Sequence, residues 1–282
     1  MSDPTTILLD GLAFPEGPRW RDGRLYFSDQ HDRRVLAVDP NGACETIVEV
    51  PEQPSGLGWL PDGRMLIVSM LDRRVLRLEG DELIEHADLA SLAAGECNDM
   101  VVDAHGRAYV GNFGFDMYGG EDARDTCIIA VEPDGRAHVA AEGLAFPNGT
   151  VITGDARTMI IGESYGGRLT AFSIAPDGSL GDRRVFAQLH GAVPDGICLD
   201  AEGAVWVACP LTGRCLRVRD GGEVVDEIKV SHDFAYACML GGAERRTLFI
   251  CTAPSSDPKE TVRLRTGRIE IAQVAVPGAG LP

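Results

Sequence analysis

The sequence lacks the long hydrophobic runs and the cysteine patterns of membrane and secreted proteins. No stretch approaches the ~18 apolar residues that a membrane-spanning helix needs. The first twelve residues contain neither a basic region nor a long apolar run, so we expect no signal peptide. The eight cysteines include no Cys-x-x-Cys pair, and in 282 residues they do not indicate a disulfide scaffold. We therefore expect a cytoplasmic protein with reduced, mostly buried thiols and no membrane partner.

Positive charge is also scarce. The chain has 26 Lys and Arg residues against 43 Asp and Glu residues, which gives a net charge of −17. Such a surface repels the phosphate groups of nucleic acids and of anionic lipids, so we expect no nucleic-acid partner. Part of the carboxylate excess is compatible with a bound cation.

Helical patterns and zinc motifs are absent as well. No stretch shows a sustained hydrophobic period of about 3.6 residues. The six His residues are scattered without an HExxH pair, so a His or Cys zinc site is not expected. Glycine, by contrast, makes up 34 of the 282 residues, about 12% against about 7% in average proteins, and this predicts many tight turns.

The chain contains an internal repeat. Residues 11–17 read Gly-Leu-Ala-Phe-Pro-Glu-Gly, and residues 143–149 read Gly-Leu-Ala-Phe-Pro-Asn-Gly. Six of the seven positions are identical, and the single difference is Glu16 against Asn148. A looser unit of a short apolar strand, an Asp-Gly or similar turn and a second strand also recurs along the chain.

Aligned on their turns, six such units have the spacing of propeller blades. Equivalent positions are separated by 39, 43, 50, 47 and 42 residues, and a four-stranded blade takes about 40–45 residues. We therefore predict an all-β protein, a six-bladed β-propeller with four-stranded antiparallel blades in a single domain, residues 1–282. Residues 5–9 form a spare strand, which we expect to pair with residues 269–274 and close the last blade. The six aligned positions are Glu16, Ser55, Asn98, Asn148, Asp195 and Ala237.

These six positions, the channel ring, predict a metal site. The innermost strand of each blade starts near one mouth of the central channel, so the six positions surround one axis. Four of them carry carboxylate or amide oxygens, which are costly to bury without partners. One divalent cation would satisfy them, and such oxygens suit Ca²⁺ or Mg²⁺, with Mn²⁺, Fe²⁺ or Zn²⁺ as alternatives. The competing interpretation is that small polar residues simply cap the starts of strands.

Four motifs at the channel ring resemble one protein family. Residues 15–18 (Pro-Glu-Gly-Pro), 97–99 (Cys-Asn-Asp), 146–149 (Phe-Pro-Asn-Gly) and 194–196 (Pro-Asp-Gly) resemble the family of gluconolactonase, regucalcin (senescence marker protein) and luciferin-regenerating enzyme. The motifs occur in the order and spacing of that family over essentially the whole chain. The resemblance implies a six-bladed propeller with one divalent cation in its channel and, since many members hydrolyse sugar lactones, a lactonase.

The resemblance also implies roles for four residues of the channel ring. Glu16, Asn148 and Asp195 match the metal ligands of the family, and Asn98 matches a further residue that binds metal or substrate. Asp195 also matches the residue proposed as general base or nucleophile, and we predict that Glu16 and Asp195 are catalytic, with Ca²⁺ as the expected cation. Such a metal polarises a lactone carbonyl and lowers the pKa of a bound water, and a carboxylate then accepts the proton of the attacking water.

Substrate contacts are predicted on the loops around the channel. Members that act on sugar lactones commonly carry Arg where this chain has Glu96, and a negative charge there disfavours gluconolactone itself. Residues 111–120 are rich in Gly and aromatic residues and longer than a hairpin needs, so we predict a lid over the channel. Residues 164–165 and 210–211 follow the second strand of the fourth and fifth units, as residues 111–120 do in the third unit. The predicted substrate-binding residues are Asn98, Glu96, Phe113, Tyr118, Ser164, Tyr165 and His31.

Two classes of function follow. The first is a metal-dependent hydrolase that opens a lactone, either a sugar lactone or a related cyclic ester, by metal-activated water. The second is a non-catalytic regulatory propeller that binds a divalent metal or another ligand. A protein-interaction propeller is disfavoured because the Gly-His…Trp-Asp repeat signature is missing. The expected partner is a small-molecule lactone, and the chain is expected to be a monomer or a small homo-oligomer.

Overall fold

A ring of six β-sheets forms the protein. The computed structural model describes residues 5–231 and 233–281, and within these ranges 24 strands form six sheets of four strands each. Neighbouring strands in every sheet are antiparallel. The predicted all-β, six-bladed propeller with four-stranded antiparallel blades is therefore confirmed.

The strands are numbered in chain order, and each blade is given from its innermost to its outermost strand. The first three blades contain β2 (Pro15–Arg21), β3 (Arg24–Asp29), β4 (Arg34–Val38) and β5 (Cys44–Glu49); β6 (Pro54–Trp59), β7 (Met65–Ser69), β8 (Arg74–Glu79) and β9 (Glu82–Asp88); and β10 (Cys97–Val102), β11 (Ala108–Asn112), β12 (Thr126–Val131) and β13 (Ala137–Leu144). The last three contain β14 (Pro147–Ile152), β15 (Thr158–Glu163), β16 (Arg168–Ile174) and β17 (Leu180–Gln188); β18 (Ile197–Leu199), β19 (Val205–Cys209), β20 (Arg214–Val218) and β21 (Val224–Lys229); and β22 (Phe234–Gly241), β23 (Thr247–Ala253), β24 (Gly267–Gln273) and β1 (Thr6–Leu12).

The ring closes both at the channel and at its outer edge. The innermost strands contact one another in the order β2, β6, β10, β14, β18 and β22, and β22 contacts β2 again. In the sixth blade β1 pairs with β24, with Thr6 opposite Ile271 and Leu12 opposite Gly267. The predicted N-terminal closing strand is therefore confirmed. Because both ends of the chain share one sheet, the ring cannot open without breaking this ladder.

Within residues 5–231 and 233–281, two short helices interrupt the strands. A 3-10 helix spans Gln30–Asp32, and α1 spans Pro258–Leu264 between β23 and β24. The hydrophobic period did not reveal α1, because seven residues make only about two turns. Its start is set locally, since Asp257 accepts a 2.8 Å hydrogen bond from the Lys259 N–H. In the parts of the chain that the structure describes, no helix is long and apolar enough to cross a membrane.

Hydrophobic side chains fill the space between neighbouring blades. The cluster that joins the fifth, sixth and first blades includes Trp206, Phe249, Leu25 and Phe27, all nearly or fully buried. Burying each such side chain stabilises the fold by about 1.5–3 kcal/mol. Seven of the eight cysteines are buried as well, as expected, and Cys44 is exposed.

The inner strands converge on the channel through bulges and glycines. In five blades the register between the inner strand and the next strand shifts beside the channel ring. A register shift of this kind is a β-bulge, which changes the direction of a side chain. A Cβ on Gly149 would lie 2.5 Å from the Ile197 nitrogen and 2.7 Å from the Asp195 carbonyl oxygen. Only a residue without a side chain allows this approach. Glycine follows the ring residue in four blades, at Gly17, Gly56, Gly149 and Gly196.

Gly149→Ala is expected to lower the free energy of unfolding by about 2–3 kcal/mol, because the added Cβ must displace the backbone of the next blade. Gly154→Ala is the matched control, since Gly154 is exposed and its nearest atom would lie 3.9 Å from the added Cβ. Urea unfolding of both variants measures the difference. Equal midpoints would contradict the close approach of the inner strands.

Candidate active site

One cavity of about 440 Å³ opens at the channel ring. This volume lies in the range of small-molecule sites, about 300–1,000 Å³. All ten residues that were predicted as catalytic, metal-binding or substrate-binding line this cavity, and their roles stay predictions. They are Glu16, His31, Glu96, Asn98, Phe113, Tyr118, Asn148, Ser164, Tyr165 and Asp195.

Equivalent positions of the inner strands supply the floor of the cavity. Glu16, Asn98 and Asn148 are the second residues of β2, β10 and β14, and Asp195 lies two residues before β18. Glu16, Asn98 and Asn148 lie at the register shifts of their strands, whereas β18 pairs with β19 without a shift. The repeat therefore places two carboxylates and two amides around one point.

The sixth member of the channel ring is Tyr236, and the alignment on Ala237 was wrong. In β14 the ring residue Asn148 follows Pro147, the last paired residue before the bulge. In β22 that last paired residue is Ala235, so the equivalent residue is Tyr236. Tyr236 lines the cavity. Ala237 packs against Gly196 of the neighbouring blade, which is the position that a glycine after the ring residue occupies in other blades. The position of the bulge depends on strand pairing, which turn-based alignment does not detect.

The two carboxylates of the channel ring, Glu16 and Asp195, oppose each other's ionisation. Burial raises the pKa of Glu16 well above its ordinary value, and the charge of Asp195 raises it further. Burial also raises the pKa of Asp195, although a hydrogen bond from Asn148 opposes the rise. Ionised carboxylates that are shielded from water need a positively charged partner, so the floor of the cavity favours the binding of a cation.

Hydrogen bonds fix the two amides of the channel ring. Asn148 Nδ2 donates to Ser164 Oγ over 3.2 Å, and Ser164 Oγ donates to the Pro194 carbonyl over 2.7 Å. Asn98 Oδ1 accepts a long bond of 3.4 Å from the hydroxyl of Ser55, the second ring position. Asn98 is thus held by a partner on the neighbouring second blade, and Asn148 is held by Ser164 of its own blade, which is in turn anchored to the chain just before β18.

A buried ion pair lies deeper along β2. Arg19 Nη2 donates to Asp99 Oδ1 over 2.6 Å, and the side chains are only 4% and 10% exposed. The guanidinium also donates to the carbonyls of Leu57 and Met100, over 3.0 and 2.6 Å. It thereby joins the inner strands of the first three blades. Asp99 directly follows Asn98, so this pair also holds the start of β10, which carries a ring residue.

Two aromatic clusters form the walls of the cavity. Phe146 stacks on Phe113 with a centroid distance of 4.5 Å and meets Tyr165 edge-on at 5.0 Å. On the opposite side Phe14 stacks on His31 at 4.6 Å, and it meets Tyr236 edge-on at 4.7 Å. Such pairs contribute about 0.5–1.5 kcal/mol beyond burial.

Several lining residues were missed by the sequence analysis. For two of them the sequence contained a signal, because Phe14 and Phe146 occupy the same position of the repeated segments 11–17 and 143–149. The others lie on strand ends and loops that show no motif. The missed residues are Phe14, Gln30, Gln53, Met70, Phe146, Val193, Phe234, Tyr236, Pro254, Ser255 and Ser256.

His31 is a buried neutral residue of the wall. It is 9% exposed, and its Nδ1 lies 2.6 Å from the Thr261 hydroxyl on α1. Burial lowers the pKa of His31 from 6.5 to about 4, and the charge of Asp257 opposes this change. The side chain therefore offers an uncharged imidazole to a ligand at neutral pH.

The lowered pKa of His31 predicts an acid-sensitive contribution to stability. The unfolded state binds this proton more readily than the folded state, so the stability is present above pH 6.5 and is lost as pH falls toward 4. Between about pH 6.5 and 5 the free energy of unfolding should fall by about 1–2 kcal/mol through this residue. His31→Gln should lack this part of the pH dependence in urea unfolding. Parallel pH profiles of the variant and the parent would contradict the prediction.

Glu96 lines the cavity with an unpaired carboxyl oxygen. The side chain is half-buried, and its Oε2 is buried with no hydrogen-bond partner among the residues that the structure describes. Burial raises the pKa of Glu96, and the nearby Asp116 raises it further. The backbone of Glu96 is fixed, since its carbonyl accepts the Phe113 N–H over 2.9 Å. The predicted lid, residues 111–120, is therefore tied at Phe113 to the residue that carries this carboxyl group.

Residues 162–166, Gly-Glu-Ser-Tyr-Gly, have the letters of the G-x-S-x-G nucleophile pattern. That pattern requires a turn from a strand into a helix, whereas these residues lead from β15 into β16. The hydroxyl of Ser164 donates to a backbone carbonyl. Ser164 is thus held as a partner of Asn148 and not as an activated nucleophile.

The donors of the cavity floor fit a hard divalent cation. Among residues 5–231 and 233–281 no group of three His, Cys, Asp or Glu side chains can hold a metal. The two carboxylates of Glu16 and Asp195 therefore need the amide oxygens of Asn98 and Asn148 to complete a ligand set. All four are oxygen donors, which Ca²⁺ and Mg²⁺ prefer.

Comparison with known proteins identifies the family. Residues 14–254 match the family model described as the SMP-30/Gluconolactonase/LRE-like region. The chain belongs to this family. The match covers all six positions of the channel ring, and the resemblance noted from the four motifs is confirmed.

Relatives within the SMP-30/gluconolactonase family are similar over nearly the whole chain. A 6-deoxy-6-sulfogluconolactonase from Pseudomonas putida is 26% identical over 277 residues, which are 95% of this chain and 93% of the relative. A pentonolactonase from Haloferax volcanii is 26% identical over 258 residues, 88% of this chain and 84% of the relative. Among solved structures, a calcium-binding protein, regucalcin, from Agrobacterium tumefaciens has a TM-score of 0.83 at 21% identity, with 100% of this chain and 97% of that chain covered. That likeness supports the fold.

Proposed function

We propose that this protein is a divalent-cation-dependent lactonase that opens its substrate by attack of water. The observation that carries the proposal is the channel ring, which places two half-buried carboxylates and two buried amides on the floor of one cavity. The names of two similar family members, a sulfogluconolactonase and a pentonolactonase, support a lactone as the substrate class.

Glu16, Asn148 and Asp195 would hold the cation, with Asn98 as a further donor to cation or substrate. When bound, a divalent cation polarises the lactone carbonyl and stabilises the charge that develops on its oxygen. Ca²⁺ is the first candidate because every donor is an oxygen atom and a structural neighbour is described as a calcium-binding protein. Mg²⁺, Mn²⁺, Zn²⁺ and Fe²⁺ are the alternatives.

Asp195 would move the proton. Its carboxylate accepts a proton from the attacking water as the oxygen of that water bonds to the carbonyl carbon. The bond from the carbonyl carbon to the ring oxygen then breaks, and the ring oxygen takes the proton, which gives a hydroxy acid. A hydrogen bond from Asn148 holds the Asp195 carboxylate in place.

The test is hydrolysis of sugar and alkyl lactones, measured by proton release. Metal-stripped protein is assayed alone and after Ca²⁺, Mg²⁺, Mn²⁺, Zn²⁺ or Fe²⁺ has been restored one at a time. Turnover that disappears on stripping and returns with one cation supports the proposal. No turnover with any cation, combined with a rise in Tm on cation binding, would instead favour the non-catalytic regulatory propeller.

A further inference from the structure

The cavity is rich in aromatic groups and poor in positive charge. The chain has nine Phe and five Tyr residues, and four of the Phe and three of the Tyr residues line the cavity. Although the chain has 26 Lys and Arg residues, none is among the described residues that line the cavity. A site for an anionic group normally presents Arg or Lys to it. This cavity therefore has no charged partner for a sulfonate, phosphate or carboxylate substituent.

The mouth of the cavity is apolar as well. Leu211 is 72% exposed, and Tyr118, Tyr165 and Phe234 are also exposed at this rim. Apolar side chains gathered at the mouth of a cavity mark a surface that a ligand covers. The wall of Phe113, Phe146 and Tyr165 continues from this rim inward, so an apolar group can be buried from the mouth to the channel ring.

The carboxyl group of Glu96 also affects which substituents the cavity accepts. Once a divalent cation has neutralised Glu16 and Asp195, Glu96 is the remaining carboxyl group of the lining. Its buried oxygen without a hydrogen-bond partner would lie against the substrate. An anionic substituent placed there finds no Lys or Arg side chain among the described residues of the lining.

We infer that the substrate is an uncharged lactone that carries an apolar, aryl or alkyl, substituent, with the lactone over the channel ring and the substituent against the aromatic wall. The inference rests on the proposed lactonase function. It separates this protein from the relative named for a sulfonated sugar lactone. A buried phenyl group contributes about 10- to 100-fold in affinity.

The rate test uses three δ-lactones with the cation-loaded full chain. They are a δ-valerolactone with a phenyl group on the ring carbon beside the ring oxygen, glucono-δ-lactone, and 6-deoxy-6-sulfoglucono-δ-lactone. Each kcat/KM is divided by the uncatalysed hydrolysis rate, because the three lactones differ in reactivity. We expect the phenyl lactone to exceed glucono-δ-lactone by about tenfold or more, and the sulfonated lactone to be the poorest.

Affinity is measured separately with lactams, which keep the ring shape and resist hydrolysis. The phenyl-substituted δ-lactam should bind about tenfold or more tightly than gluconolactam in calorimetry. Leu211→Ser should lower the preference for the phenyl lactam severalfold. Val185→Ser is the matched control, since Val185 is 52% exposed and lies outside the cavity lining. Glu96→Arg should raise kcat/KM for the sulfonated lactone relative to the phenyl lactone by about tenfold.

The two readouts separate the possible failures. Turnover that favours glucono-δ-lactone or its sulfonated form overturns the inference and leaves the lactonase proposal intact. No turnover of any lactone, with tight binding of the phenyl lactam, overturns the lactonase proposal and supports the apolar ligand. Gluconolactam binding as tightly as the phenyl lactam, or no binding of either lactam, overturns the inference.

Discussion

Asp195→Asn is expected to lower kcat for lactone opening by about a thousandfold or more and to leave the propeller folded. The substitution keeps the shape of the side chain but removes the negative charge that would hold the cation and accept the proton of water. The variant should also lose the rise in Tm that the cation gives to the parent protein. Proton release and thermal unfolding, each with and without cation, measure both losses.

The same variant makes a second, opposite prediction for the cation-free protein. Asp195 and Glu16 share the cavity floor, the charge of Asp195 raises the pKa of Glu16, and repulsion between two like charges acts on both. Removing one charge should therefore leave the cation-free variant at least as stable as the parent at about pH 8. A cation-free variant that unfolds much more easily than the parent would show that Asp195 has a structural role.

Asp134→Asn is the matched control for Asp195→Asn. The tripeptide Pro-Asp-Gly occurs at residues 133–135 as well as at 194–196, and Asp134 lies at an exposed turn, where it pairs with Arg136. Its substitution should change neither turnover nor the response to cation. Full activity of Asp195→Asn at saturating cation would exclude the catalytic role that we propose for Asp195.

Arg19→Met is expected to lower the free energy of unfolding by about 3–5 kcal/mol, because it leaves a buried carboxylate without its partner. The Arg19 guanidinium joins Asp99 to the carbonyls of Leu57 and Met100. Its loss therefore also breaks the connection among the inner strands of the first three blades. Urea unfolding of the cation-free protein measures the effect apart from any change in cation binding.

Arg136→Met is the matched control for Arg19→Met. The Arg136–Asp134 pair has nearly the same length, 2.7 Å against 2.6 Å, but its side chains are 80% and 56% exposed. Water solvates both charges when one partner is removed, so stability should not change measurably. The double variant Arg19→Met/Asp99→Asn should recover part of the loss, because the remaining amide carries no charge. Equal losses in Arg19→Met and Arg136→Met would show that burial does not decide the effect.

The tripeptide Pro-Asp-Gly shows how far the sequence determined the site. It occurs at residues 61–63, 133–135, 176–178 and 194–196, and the aspartates of the first three lie on exposed turns. Only the spacing of the six units assigned residues 194–196 to the channel ring. Because the blades repeat one local pattern of strands and turns, that spacing determined the fold and the ring positions of Glu16, Asn98, Asn148 and Asp195.

The sixth position of the channel ring could not be assigned correctly from the local sequence pattern. Turn-based alignment gave Ala237, and strand pairing places Tyr236 there. A bulge shifts the register by one residue, and its position depends on hydrogen bonds to a partner strand, which the order of residues in one strand does not contain.

The sequence by itself determined the six blades, the closing strand and the oxygen donors at the channel ring, since each follows from a pattern that repeats along the chain. Only the tertiary structure decided the ion pair of Arg19 with Asp99, the aromatic walls and the unpaired oxygen of Glu96. These depend on which loops and strands of different blades come together around the axis. Burial in that shared space raises the pKa of carboxyl groups such as that of Glu96, and no local sequence pattern shows which residues will be buried together.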